Sequence, residues 1–268
     1  MLVANFNSQR YEASSAQKGP AYTCPGCDEL VILKKGTVVI HHFAHKSESY
    51  CDWDKGETRE HMLAKNYLAD SLRHLGWQAY VEYSLNIPIG DRRADVATFT
   101  NQNQWIAFEV QHSSIGLTEI AQRAIAYASQ NIAQLWIPIL KSSVRTEATQ
   151  TSPTTWVVKK FSAPKHLRWI HGFAGGQGMW MFDPKTNSYW LGRLTDHIID
   201  VPHSSWYQDG EEQNAGGYQR KSKRWKTLTL NGPYQLKELA ISIDYRNEFI
   251  TKQYHWPAGP IVRLGLSS

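Results

Sequence analysis

Five cysteine and histidine side chains near the start of the sequence have the chemistry and spacing of zinc ligands. Cys24 and Cys27 flank a Pro-Gly turn, so both sulfur atoms can reach one tetrahedral ion. The other three candidates follow at His42, His45 and Cys51. The four ligands of the zinc ion would be either the three cysteines with one histidine or the first two cysteines with both histidines. The alternative is that the Cys-x-x-Cys spacing occurs by chance. However, so short a segment can hardly form a hydrophobic core unless a cross-link such as a bound metal ion holds it together. We predict structural Zn²⁺ held by four of the five.

A second group of residues combines carboxylates with a histidine. Glu57 and His61 are four residues apart and share one face of a helix. Asp95 and Glu109 fall in segments that alternate like neighbouring strands, so their carboxylates can share a face. Carboxylates that meet in an apolar sheet are costly unless a cation neutralises them, and oxygen ligands suit Mg²⁺ or Mn²⁺. Such an ion would activate water for attack on a phosphodiester. The alternative for Glu57 and His61 is that they are solvent-exposed residues in the first turn of the helix and belong to no site.

The hydrophobic pattern predicts the elements that position both groups. A stripe of helical period that includes Leu68 and Leu72 indicates a helix between Gly56 and Leu75. Three strands, a helix and a buried strand are predicted next, in this order: Gln78–Ile87, Arg92–Thr100, Gln104–Gln111, Thr118–Gln130 and Ala133–Leu140. Upstream, a hairpin of Leu30–Leu33 with Val38–Ile40 would bring the histidines back to the cysteine pair.

The order of these motifs resembles the competence protein CoiA family, a branch of the PD-(D/E)XK nuclease superfamily, over about residues 1–140. The motifs that carry the resemblance are Met1-Leu2-Val3-Ala4, Cys24-Pro25-Gly26-Cys27, His42-Phe43-Ala44-His45, Cys51, Gly56-Glu57-Thr58, His61, Arg92-Arg93-Ala94-Asp95-Val96, Glu109-Val110-Gln111-His112-Ser113, Arg123 with Tyr127, and Leu135-Trp136-Ile137. The resemblance implies a metal-dependent nuclease core in which Asp95 and Glu109 bind the metal. It also implies that Glu57 and His61 complete the site.

Gln111 departs from the wider superfamily pattern, because by this resemblance it occupies the place of the usual lysine. A glutamine carries no positive charge to assist the attacking water or the phosphate. Lys65 and Arg93 are the two candidates to supply this charge. For each of them, the alternative explanation is an ordinary surface cation. Gln111 therefore favours an alternative function, a non-catalytic, zinc-containing DNA-binding protein on a degenerate nuclease scaffold.

The C-terminal part of the sequence is basic and rich in tryptophan. Residues 151–268 contain 15 basic and 9 acidic side chains and 7 of the 11 tryptophans. Within Gln219–Lys226, five cations accompany a tryptophan, a combination that suits phosphates and stacked bases. These cations are Arg220, Lys221, Lys223, Arg224 and Lys226. A solvated basic loop is an equal alternative. Residues 141–153 are predicted as a linker and residues 208–226 as a loop.

Together these features predict an α/β protein with a restriction-endonuclease-like mixed sheet flanked by helices. A zinc-binding module (1–55) precedes the nuclease-like core (56–145), and a basic, Trp-rich, β-rich region (146–268) follows. We expect a Mg²⁺- or Mn²⁺-dependent deoxyribonuclease that acts in DNA uptake and recombination or in defence against foreign DNA. DNA is the expected partner, and other DNA-processing proteins are further candidates. A zinc-stabilised protein adaptor is a weaker interpretation, since it leaves the basic charge unused.

The sequence also bears on location. No run approaches the roughly 18 apolar residues of a membrane span, and the first residues lack a signal-peptide pattern. We therefore expect a cytoplasmic protein with no membrane partner.

Overall fold

The candidate zinc ligands lie on or next to a small antiparallel sheet at the start of the chain. Its strands are β1 (Val3–Phe6), β2 (Gln9–Glu12), β3 (Tyr22–Thr23), β4 (Leu30–Lys34) and β5 (His42–His45), in the order β2-β1-β3-β4-β5. The computed structural model describes residues 1–46, 51, 53, 57–88 and 92–266. The predicted hairpin exists, but its second strand is β5, so the strand predicted at Val38–Ile40 is wrong. Burial explains the difference, because β5 packs Phe43 against the Tyr22 ring while Val38 is exposed.

A six-stranded sheet carries the predicted nuclease elements. These elements are α1 (Arg59–His74), β6 (Ala79–Leu85), β7 (Arg92–Phe99), β8 (Trp105–Gln111), α2 (Leu117–Ser129) and β9 (Ala133–Pro138). Strands β6, β7 and β8 form an antiparallel meander, and β9 returns parallel to β8 after α2. All six residues of β9 are buried, as expected for a strand that is covered on both faces. The predicted mixed α/β fold class is confirmed.

Helix α1 begins at a cap that fixes its first turn. Thr58 is the N-cap, and its hydroxyl accepts a hydrogen bond of 3.2 Å from the His61 amide. Farther along, Ala64, Leu68 and Leu72 are buried in one apolar core with residues of the meander. The cap and the apolar stripe together hold the start of α1 beside β7, where His61 contacts a strand carboxylate.

The C-terminal part of the chain extends this sheet and builds a second one. Its elements are α3 (Ser142–Glu147), β10 (Thr149–Ser152), β11 (Thr155–Phe161), α4 (Lys165–Phe173), β12 (Met179–Asp183), β13 (Ser188–Val201), β14 (Ser204–Gln208), β15 (Glu211–Ala215), β16 (Tyr218–Tyr234), a 3₁₀ turn (Leu236–Glu238), β17 (Leu239–Arg246), β18 (Phe249–Ile250), β19 (His255–Trp256) and β20 (Gly259–Leu266). The six-stranded sheet has the order β17-β20-β9-β8-β7-β6, and the additional five-stranded sheet has the order β10-β11-β16-β13-β12. Strands from both sides of residue 145 thus share one sheet, and the domain boundary predicted there stays a prediction.

Two segments that were predicted to lack regular structure are ordered. Residues 141–153, predicted as a linker, contain α3 and β10. Residues 208–226, predicted as a loop, belong to a two-stranded arm in which β13 and β14 pair with β16 and β15. The turn at the tip of the arm is Asp209-Gly210, and both residues have positive φ (53° and 82°). An Asp-Gly pair favours this two-residue hairpin turn, so the loop prediction overlooked a strand signal.

The longest helix in the described part of the chain is α1, with 16 residues. None of the helices described is both long and apolar enough to cross a lipid bilayer.

Candidate functional site

The residues predicted for catalysis meet in one open cleft of about 400 Å³. Six of the predicted site residues line it, namely Glu57, His61, Arg93, Asp95, Glu109 and Gln111. They come from the first turn of α1, from β7 and from β8, except that Glu57, predicted on the helix, lies just before the N-cap Thr58. Three elements that are distant in sequence therefore converge on one place.

Neighbouring strands place Asp95 and Glu109 side by side. Strands β7 and β8 pair with Val96 opposite Phe108, so the two acidic residues are the next positions along their strands. The Val110 amide donates a hydrogen bond of 2.8 Å to Asp95 Oδ2, which fixes this carboxylate against β8. Glu109 is buried.

His61 lies between two carboxylates. Its Nδ1 is 2.9 Å from Glu57 Oε1, and its Nε2 is 3.2 Å from Asp95 Oδ2. Burial lowers the pKa of His61, but the charge of Asp95 and the hydrogen bonds outweigh this effect and raise it to about 9. Burial also disfavours the charged form of Glu57, yet the hydrogen bond from His61 and the charge of Lys65 lower its pKa to about 2. At neutral pH the three groups therefore form a carboxylate–imidazolium–carboxylate chain.

Lys65 is a buried cation bound to the same carboxylates. It is 0% exposed, and Nζ lies 2.7 Å from Glu57 Oε1, 2.6 Å from Glu82 Oε1 and 3.9 Å from Asp95 Oδ1. Burial lowers the pKa of Lys65, but the three carboxylates outweigh burial and hold the pKa above its usual value. Lys65 is not part of the described cleft lining, so its ammonium faces carboxylates and not the cleft.

Glu82 is the buried carboxylate of the site that the sequence analysis missed. Alternation along β6 would put it on the polar face, but Glu82 is 1% exposed and has a left-handed backbone (φ 49°). A left-handed residue interrupts the period-2 pattern on which such predictions depend. The one sequence signal is that Glu82 is the only charged residue of Ala79–Leu85.

Glu109 is held by two side chains of α2. Arg123 Nη2 donates a hydrogen bond of 2.5 Å to Glu109 Oε2, and the Tyr127 hydroxyl donates to Oε1. Burial raises the pKa of Glu109, and the nearby charge of Asp95 adds to this effect while Arg123 opposes it; the net result is a raised pKa. Arg123 and Tyr127 were among the motifs of the family resemblance, but sequence reasoning assigned them no role.

The donor set of the cleft fits a hard divalent cation. Asp95, Glu109 and Glu57 offer carboxylate oxygens, the ligands that Mg²⁺ and Mn²⁺ prefer. Glu57 Oε2 is buried and has no hydrogen-bond partner among the described residues. A buried carboxylate oxygen normally has a partner, so this atom is suited to a metal bond.

Gln111 and Arg93 are both tied to neighbouring carbonyl groups. Gln111 Nε2 donates a hydrogen bond of 2.6 Å to the Ser113 carbonyl. Arg93 Nη1 donates a hydrogen bond of 2.5 Å to the Trp53 carbonyl, and its guanidinium lies 4.4 Å from the centroid of the Trp53 ring. Arg92, to which the sequence analysis gave no role, also lines the cleft, and its buried Nε has no partner in the described structure.

Four of the five predicted zinc ligands lie together. One ligand atom from each of Cys24, Cys27, His45 and Cys51 lies within 4.8 Å of the others. The sulfur atoms of Cys24 and Cys51 are 3.7 Å apart, which matches the edge of roughly 3.8 Å in a tetrahedral zinc–thiolate site. Cys27 Sγ lies 3.3 Å from His45 Nε2. Burial raises the pKa of the Cys24 thiol to about 12, so this sulfur needs a bound cation to ionise. The donor set fits Zn²⁺.

His42 lies outside this cluster. Side chains alternate along β5, so His45 shares a face with the buried Phe43 and His42 does not. His42 Nδ1 lies 2.7 Å from the Ile40 carbonyl oxygen. Of the two arrangements that the sequence left open, the structure brings together the three cysteines and His45.

The basic segment lies on the arm, outside the described lining of the cleft. Two of its cations, Lys221 and Lys226, pair with Asp196 at 2.7 and 2.6 Å. Arg224 stacks 4.5 Å from the centroid of the Trp225 ring. The three cations that are exposed and have no carboxylate partner among the described residues are Arg220, Lys223 and Arg224.

A mixed α/β sheet with an acidic cleft, preceded by a Cys₃His cluster, defines a nuclease-like protein with an N-terminal module suited to metal. Comparison with protein families finds the same two parts. The family model "Competence protein CoiA, N-terminal domain" matches residues 5–54, and "Competence protein CoiA, nuclease-like domain" matches residues 57–195. The chain belongs to the competence protein CoiA family. Comparisons with curated proteins and with solved structures gave no match.

Proposed function

We propose that the chain is a metal-dependent deoxyribonuclease that hydrolyses phosphodiester bonds in the acidic cleft. Its nuclease-like domain supports a nuclease-like function at the level of the family. The more specific proposal, metal-dependent cleavage of DNA, depends on one observation. Glu57, Asp95 and Glu109 converge on one open cleft. Carboxylates gathered in this way need a cation, and a bound cation with open positions is suited to phosphodiester hydrolysis.

The cleft residues have distinct roles in this proposal. Asp95, Glu109 and Glu57 would hold one Mg²⁺ or Mn²⁺. Such an ion polarises a phosphodiester oxygen and lowers the pKa of a bound water. His61 bridges Glu57 and Asp95 and keeps them at a fixed separation. Arg92 would contact the phosphate, because it lines the cleft and pairs with no carboxylate in the described structure.

The proposed substrate is DNA, and the arm supports this choice. Its cations cluster at the base, in Arg220–Lys226, while the tip carries acidic residues at Asp209, Glu211 and Glu212. Phosphate contacts would therefore be confined to the base of the arm. Cations outside the cleft suit a polymer that extends beyond it, and a polyanion is bound mainly through such contacts.

The alternative function is a non-catalytic DNA-binding protein on the same scaffold. Two observations favour it. Gln111 brings no positive charge to the cleft, and both oxygens of Glu109 already accept hydrogen bonds, from Arg123 and Tyr127. In this alternative Glu109 is a structural acceptor and not a metal ligand.

Cleavage assays separate the two functions. The purified protein is incubated with single- and double-stranded DNA in Mg²⁺, in Mn²⁺ or without either ion. We expect cleavage only with metal, and Asp95→Asn or Glu109→Gln should lower its rate by about 100-fold or more, because each removes a charge that stabilises the transition state through the metal.

A matched control is Glu119→Gln, since Glu119 is an exposed carboxylate on the same cleft that contacts neither Asp95 nor Glu109 in the described structure. This variant should cleave like the parent. If the Asp95 and Glu109 variants also cleave like the parent, the site is elsewhere. If the parent binds DNA but cleaves none with either ion, the non-catalytic function is the correct one.

A further inference from the structure

The ammonium of Lys65 has the surroundings of a bound cation. Oxygen atoms of Glu57, Glu82 and Asp95 approach it at 2.7, 2.6 and 3.9 Å. Water is excluded from Lys65 and Glu82, because both side chains are fully buried. Carboxylates from the segment just before α1 and from two neighbouring strands thus converge on a positive charge that belongs to the protein itself.

The formal charges of the site limit how many divalent ions it can hold. Its carboxylates are Glu57, Glu82, Asp95 and Glu109. Lys65 and Arg123 supply two fixed positive charges against them. Without counting His61, these groups leave two negative charges, which one divalent cation balances, and the proton that His61 carries in the metal-free cleft can only lower that number. A second divalent cation would leave the buried site with a net positive charge, and an unbalanced buried charge is strongly disfavoured.

The carboxylate of Glu82 holds Lys65 in place and does not act in the cleft. Its Oε1 accepts from Lys65, and its Oε2 accepts a hydrogen bond of 2.9 Å from the Leu2 amide. Glu82 is not among the described residues that line the cleft. Its left-handed backbone (φ 49°) within a strand is strained for a residue with a side chain, and such strain is retained where the surroundings require it.

We propose that the Lys65–Glu82 ion pair takes the place of a second divalent cation, so that the cleft binds one metal ion and Lys65 positions Glu57 and Asp95 as its ligands. This inference rests on the function proposed above. Lys65 is a positioning residue, because its ammonium touches ligand carboxylates and not the substrate.

Counting bound Mn²⁺ tests the proposal without any cleavage assay. The zinc-loaded protein is titrated with Mn²⁺, and the free ion is measured by electron paramagnetic resonance. We expect one Mn²⁺ per wild-type chain and none in Asp95→Asn. Two Mn²⁺ ions in the wild-type cleft would overturn this inference alone. No bound Mn²⁺ would overturn the proposed metal-dependent function, and the inference with it.

Two variants test the role of Lys65 directly. Lys65→Ser vacates a space between three carboxylates and raises the remaining negative charge from two to three. A second Mn²⁺ would then leave one net positive charge where the wild type would have two, so the count should rise to two. The double variant Lys65→Met, Glu82→Gln removes one positive and one negative charge together and keeps side-chain size, so it remains informative if the serine variant does not fold. It should still bind one Mn²⁺, about tenfold or more weakly, because Glu57 and Asp95 lose the group that aligns them.

Arg73→Gln is the matched control. Arg73 lies on the same helix and forms ion pairs with Glu12 and Asp70, outside the described cleft lining, so its loss should change neither the count nor the affinity. A folded Lys65→Ser variant that binds a single Mn²⁺ would overturn the proposal. So would a double variant with wild-type Mn²⁺ affinity.

Discussion

The protonation of His61 gives the cleft a measurable pH dependence. The folded pKa of about 9 lies above the ordinary value of 6.5, because Asp95 and Glu57 flank the imidazole. A raised pKa means that the resulting stabilisation is complete below pH 6.5 and is lost as the pH rises through about 9. In protein that holds zinc but neither Mg²⁺ nor Mn²⁺, His61→Gln should remove this stabilisation.

The size of the effect follows from the pKa. Each tenfold difference in proton affinity between the folded and unfolded states is worth about 1.4 kcal/mol, so a rise from 6.5 to about 9 gives at most about 3 kcal/mol. The side chain is 16% exposed, so solvent screens it little. Between pH 6.5 and about 9.5, the free energy of unfolding of the wild type should fall by about 2–3 kcal/mol more than that of His61→Gln. Urea unfolding followed by tryptophan fluorescence measures this difference.

His74→Gln provides the control, since His74 is an exposed histidine on the same helix whose Nδ1 contacts only the Asp70 carbonyl in the described structure. Its stability should follow the wild-type pH curve. Parallel curves for the wild type and His61→Gln would refute the reasoning, because they would mean that the imidazole carries no proton between the two carboxylates.

Two further predictions concern the zinc module and the arm. Cys24→Ser should lose about one equivalent of zinc by metal analysis and unfold the module, because metal binding and folding are coupled, whereas His42→Ala should keep its zinc. Zinc-free wild-type protein would contradict this. Neutralising the three unpaired cations of Arg220–Lys226 should weaken DNA binding for all sequences and lower the salt slope by about 0.9 per lost phosphate contact. Neutralising Lys221 and Lys226, which pair with Asp196, should change the slope less. Equal slopes in all three proteins would make the segment a solvated surface.

The sheet around the cleft could be predicted because its signals are local and strong. Strand β9 is continuously apolar and fully buried, and α1 combines a capping threonine with an apolar stripe. Asp95 and Glu109 lie on strands as predicted, because each strand keeps its own period of two. The prediction that Glu57 lies on the helix with His61 is wrong, since Glu57 precedes the N-cap Thr58, and its contact with His61 Nδ1 at 2.9 Å is what keeps it at the cleft.

The residues that the sequence could not place depend on contacts between distant segments. The position of Glu82 follows from a left-handed backbone that no period describes, and its partners are Lys65 on α1 and Leu2 near the start of the chain. The choice of His45 over His42 follows from which face of β5 packs on the core. The arm is different, since its Asp209-Gly210 turn is a local signal that was present and was overlooked.

The distribution of cations around the cleft is the strongest physical argument for a metal ion there. Lys65 is bound to three carboxylates, Arg123 is bound to Glu109, and Arg93 is bound to the Trp53 carbonyl and ring. The buried Nε atoms of Arg92 and Arg123 both lack a hydrogen-bond partner in the described structure, but Arg92 is the cleft arginine that no carboxylate or aromatic ring holds there. One guanidinium can hold a phosphate but cannot both neutralise the remaining carboxylate charge and activate a water. A divalent cation would do both, so the proposed catalytic function depends on one, and the ion would supply the positive charge that Gln111 lacks.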